Sequence, residues 1–182
     1  YVGAVPSDAT GFELYVDGTK VAATYSVADG TMTPDTALTE GTYALTYARK
    51  DNAGNISAAS PARSITIDTS AAAPALALAT DTGSDTSDGI TNVGTVNVTG
   101  LEDGATWQYS VDDGTTWSDG TDASFTLTDG TDAVGALKVK QTDAAGNTSG
   151  EGSSTGAITM DTVGTTLALS LPDNSNLVTN AL

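Results

Sequence analysis

The sequence predicts an all-β protein made of small two-sheet sandwiches in tandem, and three observations carry that prediction. First, Asp51-Asn-Ala-Gly-Asn-Ile-Ser57, followed by Ser64-Ile-Thr-Ile-Asp68, returns as Asp143-Ala-Ala-Gly-Asn-Thr-Ser149, followed by Ala157-Ile-Thr-Met-Asp161. Asp51 to Asp143 is 92 positions and Asp68 to Asp161 is 93, so one unit of about 93 residues repeats. Second, apolar and polar residues alternate at period two in both copies, the mark of half-buried strands. Phe12, Leu14 and Val16 align with Trp107, Tyr109 and Val111; Leu45 and Tyr47 align with Leu137 and Val139; Ile65 and Ile67 align with Ile158 and Met160. Third, no segment shows a helical period, and a unit of this length is near the size at which one sheet-on-sheet core suffices.

Taken in order, residues 1–10 carry a turn at Pro6-Ser-Asp8. The alternation of Phe12, Leu14 and Val16 predicts a strand over 11–16. Asp17-Gly18 predicts a hairpin turn, since both residue types tolerate positive φ, with a returning strand over 20–27. Asp29-Gly30 and Pro34-Asp35 read as loops. Strands over 42–49 and 63–67 flank the 51–55 loop and complete a first domain, residues 1–67, which is expected to lack its first strand. The joint Asp68-Thr-Ser-Ala-Ala-Ala-Pro74 is short, and its proline pre-sets an extended, semi-rigid path. Residues 68–160 form a complete domain, with strands predicted over 75–79, 95–99, 105–111, 124–128, 134–141 and 156–160. Asp81–Gly89 is an acidic loop; Asp112-Asp-Gly114, Asp119-Gly120 and Asp129-Gly130 are turns. Some seven short strands with turn signals about every 8–12 residues read as an immunoglobulin-like sandwich. In residues 161–182, Leu169 and Leu171 align with Leu76 and Leu78, so this stretch reads as the first strand and A–B loop of a further repeat.

Charge narrows the chemistry. Nineteen Asp and four Glu oppose six Lys plus Arg, for a net charge of −17. Residues 1–67 carry −3 (seven acids, four bases) and residues 68–161 carry −13 (fifteen acids, two bases). A nucleic-acid partner is electrostatically disfavoured. No apolar run approaches the roughly 20 residues of a membrane helix. With no Cys and no His, there is no disulfide framework and neither the usual general base nor the usual zinc ligand. Asp in such excess over Glu, placed at strand ends, points to oxygen ligands for Ca2+; the plainer reading is solubility and Asp-Gly turn chemistry.

The run Val98-Thr-Gly-Leu-Glu-Asp-Gly-Ala-Thr-Trp-Gln-Tyr-Ser110, together with Asp143-Ala-Ala-Gly-Asn147 and Ile67-Asp-Thr69, resembles bacterial immunoglobulin-like repeats. The chain looks like a stretch of the extender region of giant type I-secreted repeats-in-toxin adhesins. The resemblance implies an extracellular, cell-surface stalk, stiffened by calcium, that carries ligand-binding domains outward for adhesion or biofilm formation, with host or surface ligands bound elsewhere in the parent protein. Residues 1–67 depart from the pattern, having fewer acidic loops and no recognisable first strand.

Sandwich topology says which carboxylates can share an ion. The B–C and F–G loops lie where a domain's chain enters, the A–B and E–F loops where it leaves. At the joint, Asp68 is therefore expected beside Asp103 and Asp143, with Glu40 approaching from the first domain. At the exit, Asp161 is expected beside Asp129 or Asp132 and the acidic loop Asp81, Asp85 and Asp88. Asp51 occupies the position equivalent to Asp143. Each of these acids has a rival role as a turn cap, with the balance toward ligand at Asp68 and Asp161, where an extended joint offers nothing obvious to cap.

Catalysis finds little support, since two 93-residue repeats leave no room for a deep cleft, and no enzyme is expected. The alternative function is a carbohydrate-binding module using Trp117 as an exposed platform, with the balance for that side chain toward packing under a neighbouring loop; Trp107, in phase with Tyr109 and Val111, is structural. Neighbouring repeats are the expected partners. In one form of that expectation, residues 166–171 add as a strand to the first domain of a neighbouring copy, placing Asp161 beside Asp51 in a head-to-tail fibre.

Overall fold

The computed structural model describes residues 9–166, and all regular structure among them is β. No helix there is long and apolar enough to cross a membrane. Contacts divide the chain into two compact units, residues 1–71 with the loop 142–148, and residues 72–141 with 149–182. The tail alignment over 167–182 lies outside the described residues.

The first unit contains β1 (Ala9–Val16), β2 (Thr19–Val21), β3 (Ala23–Ser26), β4 (Thr31–Pro34), β5 (Gly41–Asp51) and β6 (Arg63–Ile67). One antiparallel sheet runs in the order β2-β1-β5-β6, and β3-β4 forms a separate hairpin. Asp17 and Gly18 sit at φ 49° and 78°, the paired positive values of a turn whose twist matches its strands. The Asp17 carboxylate also accepts the Ala44 N–H at 2.8 Å. The pairs Leu14↔Tyr47, Val16↔Leu45 and Tyr43↔Ile65 put these side chains on one face of the sheet.

The expected returning strand over 20–27 is instead two strands. β2 stays on β1, the chain leaves the sheet at Ala22, and β3 pairs with β4 over a segment expected to be loop. Pro34, which cannot donate a ladder hydrogen bond, is tolerated because it ends its strand. Among the described residues of this unit, the buried apolar side chains are Leu14, Val16 and Ala48.

The second unit is better filled. Its strands are β7 (Ala75–Leu78), β8 (Ile90–Thr91), β9 (Thr95–Thr99), β10 (Thr106–Ser110), β11 (Ser118–Asp119), β12 (Ser124–Thr126), β13 (Gly130–Asp132), β14 (Lys138–Thr142, running into the loop 142–148), β15 (Gly152–Ser153) and β16 (Ile158–Met160). They form sheets ordered β11-β10-β14-β15, β12-β9-β7 and β13-β16-β8, the last containing a parallel pair, Thr159↔Ile90. Val96, Val98, Trp107, Phe125, Leu127, Leu137, Val139, Ile158 and Met160 make one core, with Leu76, Leu78, Leu101 and Tyr109 against it. Each large side chain so buried contributes about 1.5–3 kcal/mol.

Trp107 is structural, as its phase predicts. It is 6 % exposed, and its Nε1 donates to Asp122 O at 3.0 Å. Val111 departs from that phase and is exposed, because the chain has already left β10 for the Asp112 turn. Val134 is exposed too: the strand expected over 134–141 starts only at Lys138, and Gly130, expected in a turn, opens β13.

Candidate metal centre

The two copies of the Asp-x-x-Gly-Asn loop fold identically. Asp51 Oδ1 accepts the Asn55 N–H at 2.8 Å and Asp51 Oδ2 accepts Asn55 Nδ2 at 2.8 Å. Asp143 Oδ1 accepts the N–H groups of Ala145 at 2.9 Å and Asn147 at 2.8 Å, and its Oδ2 accepts Asn147 Nδ2 at 2.8 Å. Gly54 and Gly146, at φ 90° and 96°, make the bend that aims those amides inward. The turn-capping role is thus present at both positions. In each loop the Asn side-chain amide, aided by backbone N–H groups, outweighs desolvation and holds the carboxyl below its ordinary range.

The surroundings of the two loops differ. Asp143 is only 7 % exposed, and one of its carboxylate oxygens lies within 4.8 Å of one on Asp68. Asn147 Nδ2, already bonded to Asp143, also donates to the Asp68 carbonyl at 3.1 Å, fixing the linker against the loop. Neither acid forms an ion pair among the described residues. Two ionised carboxylates this close repel unless a cation lies between them. Oxygens bound to one calcium at 2.3–2.6 Å stand at most about 5 Å apart, so the spacing fits a shared calcium. Asp51 belongs to no such acidic group among the described residues.

The other expected ligands have other partners. Glu40 accepts Thr69 Oγ1 at 2.9 Å and Ser70 Oγ at 3.4 Å. Asp103 is exposed; the acid of its turn that turns to the linker is Glu102, whose Oε1 accepts the Ala72 N–H at 2.7 Å. Asp161 Oδ1 accepts Val163 N at 2.9 Å and Asp68 Oδ1 accepts Ser70 N at 3.3 Å, so each does cap the residue two positions on. Asp129 takes both the N–H and the hydroxyl of Thr162. Asp88 accepts Ile90 N, and Asp85 accepts the N–H and hydroxyl of Ser87. Asp81 Oδ2 accepts Gly89 N at 2.9 Å, while its Oδ1 is buried without a hydrogen-bond partner among the described residues. Burial raises the Asp132 carboxyl above its ordinary range. These exit-side acids form no close group of three or more among the described residues.

Gln141 was not anticipated as part of this region. It is 1 % exposed; its Nε2 donates to Ala72 O at 2.7 Å and Gly100 O at 3.1 Å, and its Oε1 accepts Glu102 N at 2.8 Å. One buried amide therefore ties the linker end to the turn carrying Glu102. The signal was its phase, since Gln141 follows Leu137 and Val139 on the inward-facing side of β14.

Trp117 is tucked under its own loop. Its Nε1 donates to Gly114 O at 3.0 Å, and Lys140 Nζ stands 4.0 Å from the ring centroid, covering one face.

Both units are all-β, and the sequence repeat relates them. Residues 1–69 match the bacterial Ig-like domain family. The match falls on the half whose loops are less acidic and whose sequence departs more from the repeat pattern. The all-β, tandem Ig-like sandwich architecture follows from the strands of both units together with this match. Among solved structures, fibronectin(III)-like modules of Clostridium thermocellum CbhA are similar at 14 % identity and a TM-score of 0.40, over 86 % of this chain and 82 % of that one. No curated protein matches the chain.

Proposed function

We propose that this chain is a spacer segment of a bacterial cell-surface adhesin of the repeats-in-toxin kind, in which calcium at the joint between Ig-like sandwiches stiffens a stalk that projects ligand-binding domains. The observation that carries this reading is the Asp68–Asp143 pair: two neighbouring carboxylates, one nearly buried, with no cationic partner among the described residues and with their loop held by Asn147. Backbone carbonyls and water complete the six to eight oxygens that calcium takes. The Ig-like match over residues 1–69 supports a surface-protein module, extracellular in location and non-catalytic. A carbohydrate-binding role has less support, because Lys140 lies over the ring that would have to serve as the platform.

Calorimetric melts in millimolar calcium and in chelator test the proposal. A site saturated at about a hundred times its dissociation constant stabilises the fold by about 2.7 kcal/mol, so the calcium melt should lie about 10 °C or more higher. Coincident melts would refute the calcium reading.

A further inference from the structure

Three tripeptides of the chain have the form Asn-x-Ser/Thr: Asn55-Ile-Ser57, Asn97-Val-Thr99 and Asn147-Thr-Ser149. That pattern can accept an N-linked sugar, with an amide to carry it and a hydroxyl two positions on to mark it. In two of the three, the fold already uses both groups. Asn55 Nδ2 donates to Asp51 Oδ2 and Asn147 Nδ2 to Asp143 Oδ2, each at 2.8 Å. Ser57 Oγ accepts the Arg49 N–H at 3.0 Å and donates to Ala58 O at 2.9 Å. Ser149 Oγ accepts the Gln141 N–H at 3.0 Å and donates to Gly150 O at 2.8 Å. These residues build the repeated loop, and that role accounts for them.

The remaining tripeptide has no such role. Asn97 and Thr99 lie on β9, two residues apart and so on one face of the sheet, and both are exposed. Neither side chain makes a hydrogen bond among the described residues. The alternate residues, Val96 and Val98, supply what β9 gives to the core. Asn is among the residues that strands disfavour. Yet Asn97 stands in the middle of a strand paired on both sides, opposite Ala77 and Ser124. Both neighbours are short, so the amide is open to solvent. Packing, capping and turn formation explain neither Asn97 nor Thr99.

We infer that Asn97 is an acceptor for N-linked glycosylation, with Thr99 as the hydroxyl of its signal. The donor class is a glycosyl diphosphate. Asn97 Nδ2 bonds to C1 of the sugar while the bond from C1 to the diphosphate oxygen breaks. The diphosphate leaves with that electron pair, and one Nδ2 proton passes to a base of the transferase. The inference rests on the surface-protein reading above but not on the calcium site.

Peptide mapping of the chain isolated from the cells that make it is the test. Cleavage after acidic residues releases 89–102, between Asp88 and Glu102, which holds this tripeptide and neither of the others. The expected result is a glycan mass on that peptide, placed on Asn97 by fragmentation, with none on Asn55 or Asn147. A single sugar identifies a nucleotide-linked donor, and an assembled oligosaccharide a lipid-linked one. Thr99→Ala should remove the sugar although Asn97 is still present, and Thr99→Ser should keep it. A peptide that carries no sugar, carries it on a Thr hydroxyl, or keeps it in the alanine variant overturns the inference. So does sugar on Asn55 or Asn147. A chain that bears sugar on Asn97 but melts alike in calcium and in chelator supports this inference and refutes the calcium reading alone.

Discussion

Replacing Gln141 by leucine keeps roughly the volume of a side chain that is 1 % exposed and removes its three hydrogen bonds. The Ala72 and Gly100 carbonyls and the Glu102 N–H lose their partner together. A fully buried orphan costs about 1–3 kcal/mol. Here Ala72 and Gly100 are themselves exposed residues, so water replaces part of the loss. Three losses at the low end of that range, less about 1 kcal/mol regained by burying leucine, leave a destabilisation of about 2 kcal/mol. For a domain of this size that is a fall in melting temperature of about 10 °C or more. Denaturant titration followed by tryptophan fluorescence reads it, since Trp107 belongs to the same core. Gln141→Glu should be worse than leucine, because it sets a carboxylate oxygen against the Ala72 and Gly100 carbonyls. A leucine variant within about 0.5 kcal/mol of the parent, with glutamate no worse, would show that the amide is not what ties the linker down.

Asp68→Ala should abolish most of the calcium-dependent rise in melting temperature yet change the chelator melt little, since Asp68 is exposed and caps only Ser70 N. Asp143→Ala should lose the rise and also lower the chelator melt, because the amides of Ala145 and Asn147 lose their acceptor; calorimetry of both variants separates the two roles. In acid, stability should fall as pH drops from about 4 towards 2. Asp51, Asp112 and Asp143 have depressed pKa values in the fold, that of Asp112 brought to about 2 mainly by the Thr116 hydroxyl and N–H. Their contribution is present above the unfolded carboxyl pKa and is lost as pH falls through the folded one, and urea melts at stepped pH read the slope, which Asp112→Asn should flatten. Gly152→Ala should destabilise by about 2–3 kcal/mol or more, because a Cβ there would collide with the Pro74 carbonyl oxygen, which equilibrium unfolding can check.

By itself the sequence determined the class, the repeat and most of the strands. Period-two alternation forces one face of Phe12–Val16, Leu45–Tyr47 and Ile65–Ile67 inward whatever the topology, and a pair such as Asp17-Gly18 has few backbone alternatives to a tight hairpin. Strands over 63–67 and 95–99 come out at the residues the pattern names. The short strands β8, β11, β13 and β15, of two or three residues each, carry no period to read, and they exist because a neighbour offers an edge. β3 leaves its sheet for the same reason, finding its ladder in β4. The sequence also set Asp68 beside Asp103 and Asp143, because the B–C and F–G loops and an entering linker meet in this topology, and Asp143 is the one of the two with an oxygen within 4.8 Å of Asp68. Only tertiary structure decided that Glu102 rather than Asp103 turns to Ala72, since adjacent residues on a turn point in different directions and nothing local says which. It likewise decided that Gln141, a polar residue on an inward-facing register, is buried: the unpaired carbonyls of Ala72 and Gly100 need a donor there, and neither is near it in sequence.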